Sequence, residues 1–264
     1  MLRVLYQDDW LVAIDKPAGL LVHRSELDRH ETRFAVQMLR DQLGRPVWPV
    51  HRLDRGTSGV LLFALDRDTL ARAGETFETT RVDKRYLAVV RGWAAESGLI
   101  DHPLTRQYDA FESARETPGA PQPARTRFER LATAELPIAL DRYPTSRYSL
   151  LRLFPETGRR HQIRRHLKHV SHPVIGDATH GKGLHNRMFA ERLGCARLLL
   201  MCEAMCLPHP VTGAPLHLQT SPSDAFAALL ERLGWLDALR PPAPQAAGNA
   251  TCASSPCGPG ASRN

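Results

Sequence analysis

A polar nine-residue segment that runs directly into a buried strand constrains this 264-residue chain more than any other stretch. The segment reads His-Arg-Leu-Asp-Arg-Gly-Thr-Ser-Gly over positions 51–59, and the apolar residues 60–65 follow at once. A short apolar run bounded by turn formers is typical of a strand buried on both faces. The polar segment should therefore lie beside the core, where the Asp54 carboxylate needs a partner.

Taken alone, this segment allows two interpretations. Asp54 could cap the amides of Thr57 and Ser58 in a turn, with Gly56 and Gly59 supplying permissive backbone. It could instead be a functional carboxylate at the edge of the core. The segment by itself does not decide between a turn and a site, so the other segments have to.

Charge and length narrow the class of partner. Lys and Arg number 35 against 28 Asp and Glu, a net charge of +7, which favours a polyanion such as RNA or DNA. Arginine, the more abundant cation, binds phosphate through a planar fork. No apolar run approaches the roughly 20 residues of a membrane-spanning helix, and the N-terminus lacks a signal-peptide pattern. We expect a cytoplasmic protein with no membrane attachment.

No metal site is expected from the cysteine and histidine spacing. The five cysteines are an odd number confined to the region after residue 194, which predicts free thiols. A Cys-x3-Cys-x2-His spacing begins at Cys202 but has no fourth ligand at a suitable interval. His166, His169 and His172 recur every three residues without the acidic partner of a zinc motif, so we predict that they face solvent or RNA.

Periodicity predicts the remaining elements. Helical spacing predicts helices over 34–43, 66–79, 156–167 (after an initial turn), 188–193 and 222–233. Apolar and β-branched runs predict strands over 4–6, 10–14, 20–23, 60–65, 84–92, 124–136, 148–155, 197–201 and 216–218. Residues 94–123 are predicted to be a long insertion or an RNA-side loop. Arginines at the start of the 156–167 helix oppose its dipole, which predicts a nearby carboxylate or phosphate.

Four motifs in a fixed order carry a family resemblance. They are the Asp54 segment, the Lys-Arg-Tyr-Leu-Ala strand from residue 84, the Thr-Gly-Arg-x-His-Gln-Ile-Arg sequence over 157–164, and the Arg-Leu-x-Leu strand over 197–200. Together they resemble the RluA-type pseudouridine synthases over about residues 3–236. Residues 143–148 and 176–181 are similar to its TruC branch, which modifies the uridine at position 65 of tRNA. Met201 departs from the family's usual His and affects local packing only.

The resemblance implies an α+β pseudouridine synthase fold, with a mostly antiparallel mixed sheet, flanking helices and a central active-site cleft. Residues 1–240 would form the catalytic domain, without the S4 module of many relatives. The composition of 241–264, rich in Pro, Ala, Gly and Ser with almost no large apolar residue, predicts a disordered tail. The protein would be a monomer that binds RNA, in this branch tRNA. It would need no cofactor and no metal.

The resemblance also implies a role for each site residue. Asp54 would act at C1′ or C2′ of the target uridine, either as a nucleophile or as a base that gives a glycal, with Arg164 paired to it. Tyr86 would stack on the flipped uracil and help to remove the C5 proton, above Leu200. Arg52 would fill the gap left by the extruded base. Further RNA contacts would come from His51, Lys84, Arg159 and His161.

Three alternatives stay open at this stage. One is a ribosomal RNA synthase of the same family, and another is an RNA-binding protein or chaperone without catalysis. The third is a retaining glycosidase, which would need a second carboxylate about 5 Å from Asp54. Glu156 is the nearest motif candidate for that carboxylate.

Overall fold

A computed structural model of the protein describes residues 1–23, 31–79, 82–106 and 120–240. The predicted disordered tail, 241–264, and the centre of the predicted loop, 107–119, lie outside these ranges. The strands are β1 Arg3–Gln7, β2 Leu11–Lys16, β3 Trp48–Pro49, β4 Ser58–Ala64, β5 Asp83–Arg91, β6 Ser97–Asp101, β7 Arg125–Leu136, β8 Ser146–Pro155, β9 Leu200–Pro208 and β10 Pro215–Gln219. The helices are α1 Ala35–Leu43, α2 Arg67–Glu78, α3 Gln162–His169, α4 Gly183–Leu193 and α5 Asp224–Arg232, followed by a 3-10 turn at Asp237–Leu239.

The ten described strands form one sheet. Its order is β1-β2-β4-β9-β5-β8-β7-β6, with β10 added to β9 and β3 added to β4. All these pairs are antiparallel except β4 with β9, which pair in parallel through Ser58 with Met201 and Gly59 with Cys202. The expected mostly antiparallel mixed sheet with flanking helices is therefore confirmed.

The centre of the sheet is buried on both faces. Every residue of β4 is buried, as its apolar sequence predicted. Along β5, Leu87 and Val89 pack in one cluster with α4 and α5, while Ala88 and Val90 pack in another with α3. This alternation is the period-two geometry of a strand covered by helices on both sides.

Several predicted elements need correction. Residues 94–123 are not structureless, because Ser97–Asp101 form β6 against β7. This edge strand buries only Ile100, so its sequence carries little apolar signal. Residues 20–23 form no strand; Leu21 makes a single bridge to Phe34. Helix α4 begins at Gly183, five residues before the predicted start.

The helix boundaries follow their capping residues. Asp66 caps α2 by accepting a hydrogen bond from the Thr69 amide at 2.7 Å. Gly44 ends α1 in the left-handed conformation, with φ 67°. Within the described ranges, no helix combines the length and apolar composition needed to cross a lipid bilayer.

Candidate active site

The polar segment 51–59 is a loop held from beneath by a buried lysine. The Lys16 ammonium is fully buried and donates to the carbonyls of Pro17, Leu20 and Arg55 at 3.0, 2.7 and 3.1 Å. The Thr57 amide donates to the main-chain carbonyl of Asp54 at 3.0 Å, which closes a turn. The backbone therefore makes this turn without a side-chain cap, and the carboxylate of Asp54 is turned elsewhere.

Gly59 is needed where the loop enters β4. It adopts φ +103°, and a Cβ atom there would lie 2.1 Å from the carbonyl oxygen of Cys202. No other residue allows β4 and β9 to approach so closely at this point. Since Cys202 also pairs with Tyr86 across β9 and β5, the loop carrying Asp54 and the strand carrying Tyr86 are brought to the same part of the sheet.

Arg164 of α3 holds the carboxylate of Asp54. Its Nη1 donates to Asp54 Oδ2 at 2.9 Å. Its Nε and Nη2 donate to Asp177 Oδ2 and Oδ1 at 2.6 and 2.8 Å, a bidentate pair. The guanidinium therefore bridges two carboxylates 123 residues apart in the chain, with the remaining oxygen of Asp54, Oδ1, left to the cleft.

Asp177 is a residue of this site that sequence reasoning did not select. Its side chain is fully buried, and Oδ1 also accepts from the amides of Thr179 and His180 at 2.9 Å each. Burial acts to raise the pKa of Asp177, but the bonds from Arg164 and from the two amides outweigh it, and the pKa is lowered. The expected carboxylate beside the arginines of α3 was the available signal, and both Asp54 and Asp177 meet it.

Tyr86 lies in β5 between two core clusters, half-buried, beside Cys202. Burial, Cys202 and the nearby charge of Asp54 raise the pKa of its hydroxyl well above the ordinary value, so the group is a phenol at neutral pH. Leu200, at the start of β9, is buried in the cluster against which Tyr86 packs. The structure thus places Tyr86 and Leu200 in one cluster, with Tyr86 within range of the charge of Asp54.

A cavity of about 1250 Å³ opens beside Asp54. Six Lys or Arg side chains line it against three Asp or Glu side chains, so its field attracts anions. Two stacked pairs also line it: Arg127 lies over the Phe154 ring at 4.3 Å, and the Lys84 ammonium over the Phe77 ring at 4.7 Å. Positive charge beside aromatic rings suits an RNA strand.

The predicted RNA contacts differ in how they meet this cavity. Arg52 and Arg159 line it and are exposed. His51 also lines it, but its Nε2 accepts from the Leu62 amide at 3.1 Å and burial lowers its pKa to about 3. His51 is therefore neutral and supports the loop. His161 is half-buried, with Nε2 3.7 Å from Asp54 Oδ1.

Two further predictions concern Glu156 and His166. Glu156 lines the cavity but pairs with Arg125 at 3.3 Å and is partly exposed. His166 is fully buried, with contacts to Thr126 Oγ1 at 2.9 Å and to the His102 carbonyl at 3.0 Å, so the prediction that it faces solvent or RNA was wrong. No group of three metal-ligating side chains converges among the residues that the structure describes.

Comparison with known proteins assigns the family. The family model described as RNA pseudouridylate synthase matches residues 10–169, more than half of the chain. The chain belongs to this family. Among curated pseudouridine synthases, tRNA pseudouridine synthase C of Vibrio cholerae is 46% identical over 241 residues, covering 90% of this chain and 98% of the relative. The Yersinia pestis protein of the same name is 48% identical over 236 residues, covering 89% and 92%.

A solved structure agrees with the family assignment. Human RNA Pseudouridylate Synthase Domain Containing 4 superposes with a TM-score of 0.65 at 26% identity, covering 88% of this chain and 93% of that one. The expected RluA-type pseudouridine synthase fold is thus confirmed, and the chain is an enzyme of the isomerase class. The chaperone and glycosidase alternatives are not favoured by these findings.

Proposed function

We propose that this pseudouridine synthase acts on tRNA and that Asp54, Arg164 and Tyr86 carry the reaction. The observation that carries the proposal is the contact of Arg164 with Asp54, a carboxylate that lines a cationic cavity. The tRNA substrate rests on the relatives, which are tRNA pseudouridine synthases. Position 65 follows from the resemblance to the TruC branch.

The chemistry begins at the free oxygen of Asp54. Because Oδ2 accepts from Arg164, Oδ1 is the atom presented to the ribose. It either attacks C1′ as the N1–C1′ bond breaks, or removes the C2′ proton to leave a glycal. After the uracil turns, C5 bonds to C1′ as the C1′–Oδ1 ester bond breaks in the first route, or as C2′ regains its proton from Asp54 in the second; the C5 proton is then lost and N1 gains a proton. Arg164 keeps the carboxylate ionised and aimed in both routes.

Tyr86 serves the final proton transfer as a relay. A phenol with a raised pKa is not a base by itself. Its oxygen can accept the C5 proton only as its own proton passes to another acceptor, such as the Asp54 carboxylate. The aromatic ring meanwhile stacks on the uracil, above Leu200.

Base extrusion would use Arg52, since a stacked uridine cannot reach Asp54. Extrusion costs a few kcal/mol. Arg52 is exposed two residues before Asp54 and lines the same cavity, so its guanidinium can occupy the gap in the stack. Lys84, Arg159 and the other cations of the cavity would contact phosphates, which makes binding salt-dependent.

The test is to incubate the purified protein with tRNA and ribosomal RNA transcripts and to map pseudouridine at single-nucleotide resolution. Pseudouridine at one tRNA position supports the proposal, and position 65 supports its finer form. Product in ribosomal RNA alone would favour the alternative of a ribosomal RNA synthase. We further propose a monomer of one catalytic domain over 1–240 that works in the cytoplasm. The contact between Asp54 and Arg164 within one chain supports the monomer, and sedimentation of the enzyme–tRNA complex checks its stoichiometry.

A further inference from the structure

His161 occupies a backbone conformation that ordinary residues avoid. It adopts φ 53° and ψ 24°, the left-handed region, at the residue that precedes α3. The side-chain oxygen of Gln162, Oε1, holds this turn. It accepts hydrogen bonds from Thr157 Oγ1 at 2.7 Å and from the Arg159 amide at 3.0 Å. Strained residues of this kind concentrate at functional sites, because the surrounding structure must enforce them.

The strained turn aims the imidazole at the reactive carboxylate. His161 Nε2 lies 3.7 Å from Asp54 Oδ1, which is too long for a hydrogen bond. On its other side, Nδ1 lies 3.2 Å from Nε2 of His180. His180 is itself buried, with its amide bonded to Asp177. The imidazole is thus held through Nδ1 by His180, and its Nε2 faces the cleft.

These contacts favour one tautomer. A carboxylate only accepts hydrogen bonds, so the nitrogen that faces Asp54 is better protonated. His161 Nδ1 then accepts from His180 Nε2–H. Burial, together with the charges of Arg164 and Arg160, lowers the pKa of His161 to about 4 against the opposing effect of Asp54. The ring is therefore a neutral donor at neutral pH, with its Nε2–H directed into the site.

The substrate must enter the space that His161 faces. Asp54 Oδ1 reacts at C1′ or C2′ of the ribose, and the 2′-oxygen is bonded to C2′. Whichever carbon meets Oδ1, the 2′-oxygen lies within two bonds of it. A donor 3.7 Å from Oδ1 is at the right distance to reach that oxygen without displacing the carboxylate.

We propose that His161 donates its Nε2–H to the 2′-oxygen of the target uridine and is a catalytic residue that selects ribose over deoxyribose. This inference rests on the proposed function, because it requires Asp54 to react with a nucleotide of RNA. It gives His161 a contact to the sugar instead of the phosphate contact that the sequence suggested.

The test is a double-mutant cycle in which one change is made in the enzyme, at His161, and the other in the substrate, at the 2′-hydroxyl. Single-turnover rates are measured on tRNA assembled with either uridine or 2′-deoxyuridine at the modified position. The enzymes are wild type, His161→Ala, and His161→Asn, since Asn tolerates the left-handed region but is too short to reach the sugar. His169→Ala, an exposed histidine on the same helix outside the cavity, is the matched control.

We expect the wild type and the His169→Ala control to lose about tenfold in rate when the 2′-hydroxyl is removed, the effect of one hydrogen bond. On the ribose substrate, both His161 variants should be about tenfold slower than the wild type. Removal of the 2′-hydroxyl should then slow each variant by less than a further twofold. Equal losses on the two substrates would overturn the proposal, because a residue that only positions Asp54 affects both. Failure of the wild type to form pseudouridine in any tRNA would instead refute the proposed function.

Discussion

The bridge from Asp177 through Arg164 to Asp54 gives a prediction whose size follows from the contacts. In Asp177→Asn, one oxygen can still accept from the amides of Thr179 and His180. The new NH2 group would then face Arg164 Nε–H, which now bonds to Oδ2 at 2.6 Å, so one charge-assisted bond is lost and the other weakens.

Each bond to a charged group contributes about 1.5–3 kcal/mol. Breaking a buried ion pair costs about 3–5 kcal/mol, and Asp54 remains as a counter-ion, so we expect the low end, about 3 kcal/mol of unfolding free energy. A loosened Arg164 should also slow the single-turnover rate by about 100-fold, since small displacements of reacting groups have effects of that size.

Urea unfolding followed by tryptophan fluorescence measures the stability loss. Asp237→Asn is the matched control, because Asp237 is 82% exposed and pairs only with Arg240 among the contacts described; it should change stability by less than about 0.5 kcal/mol. The lowered pKa of Asp177 means that its stabilisation is lost as pH falls below its usual value of 3.8, so the acid unfolding of the variant should be less steep. A loss under about 1 kcal/mol with a wild-type rate would refute the bridge.

Three further predictions follow from the loop, the aromatic ring and the exposed arginine. Burial and the charge of Arg197 lower the pKa of Lys16 from 10.5 to about 7, so the unfolded chain binds a proton that the folded chain lacks between these values, and stability from this group rises with pH there. Urea midpoints of Lys16→Met should lack that rise; parallel curves for variant and wild type would contradict it. Tyr86→Phe should keep the tRNA dissociation constant and slow single turnover by about 100-fold or more, the usual size of proton-transfer catalysis, and an unchanged rate would exclude the relay. Arg52→Ala should slow the modification of folded tRNA more than that of a short unpaired RNA. An equal effect on both would argue against the proposal that Arg52 occupies the gap left by the extruded base.

The sequence predicted two of the central strands well because their apolar runs are long and uninterrupted, but it placed the strand between them over 197–201, whereas β9 runs from Leu200 to Pro208. Strand β4 and strand β5 lie where periodicity placed them. The edge strand β6 was missed because it buries one apolar side chain and its stability comes from pairing with β7. Local pattern cannot report a strand that depends on a partner remote in the chain.

The site residues, too, divide into those that could be predicted from the sequence and those that could not. The juxtaposition of Asp54 and Arg164 was accessible only through the family resemblance, since 110 residues separate them. Asp177 lies in the loop after α3; the arginines of α3 predicted a nearby carboxylate, but the sequence did not indicate that it would be Asp177. His166 was misplaced because a histidine in a basic helix has no sequence mark of burial; its hydrogen bonds to Thr126 and His102 are what permit it.

The central claim is that the carboxylate of Asp54 performs the chemistry while other groups bind the RNA. Asp54→Asn keeps the shape of the side chain and removes its negative charge. The most direct measurement is therefore pseudouridine formation by Asp54→Asn under single-turnover conditions, with the tRNA dissociation constant determined on the same preparation. The account predicts no detectable product with tRNA affinity within about threefold of wild type, a difference under 1 kcal/mol. Product formation at the wild-type rate would contradict it.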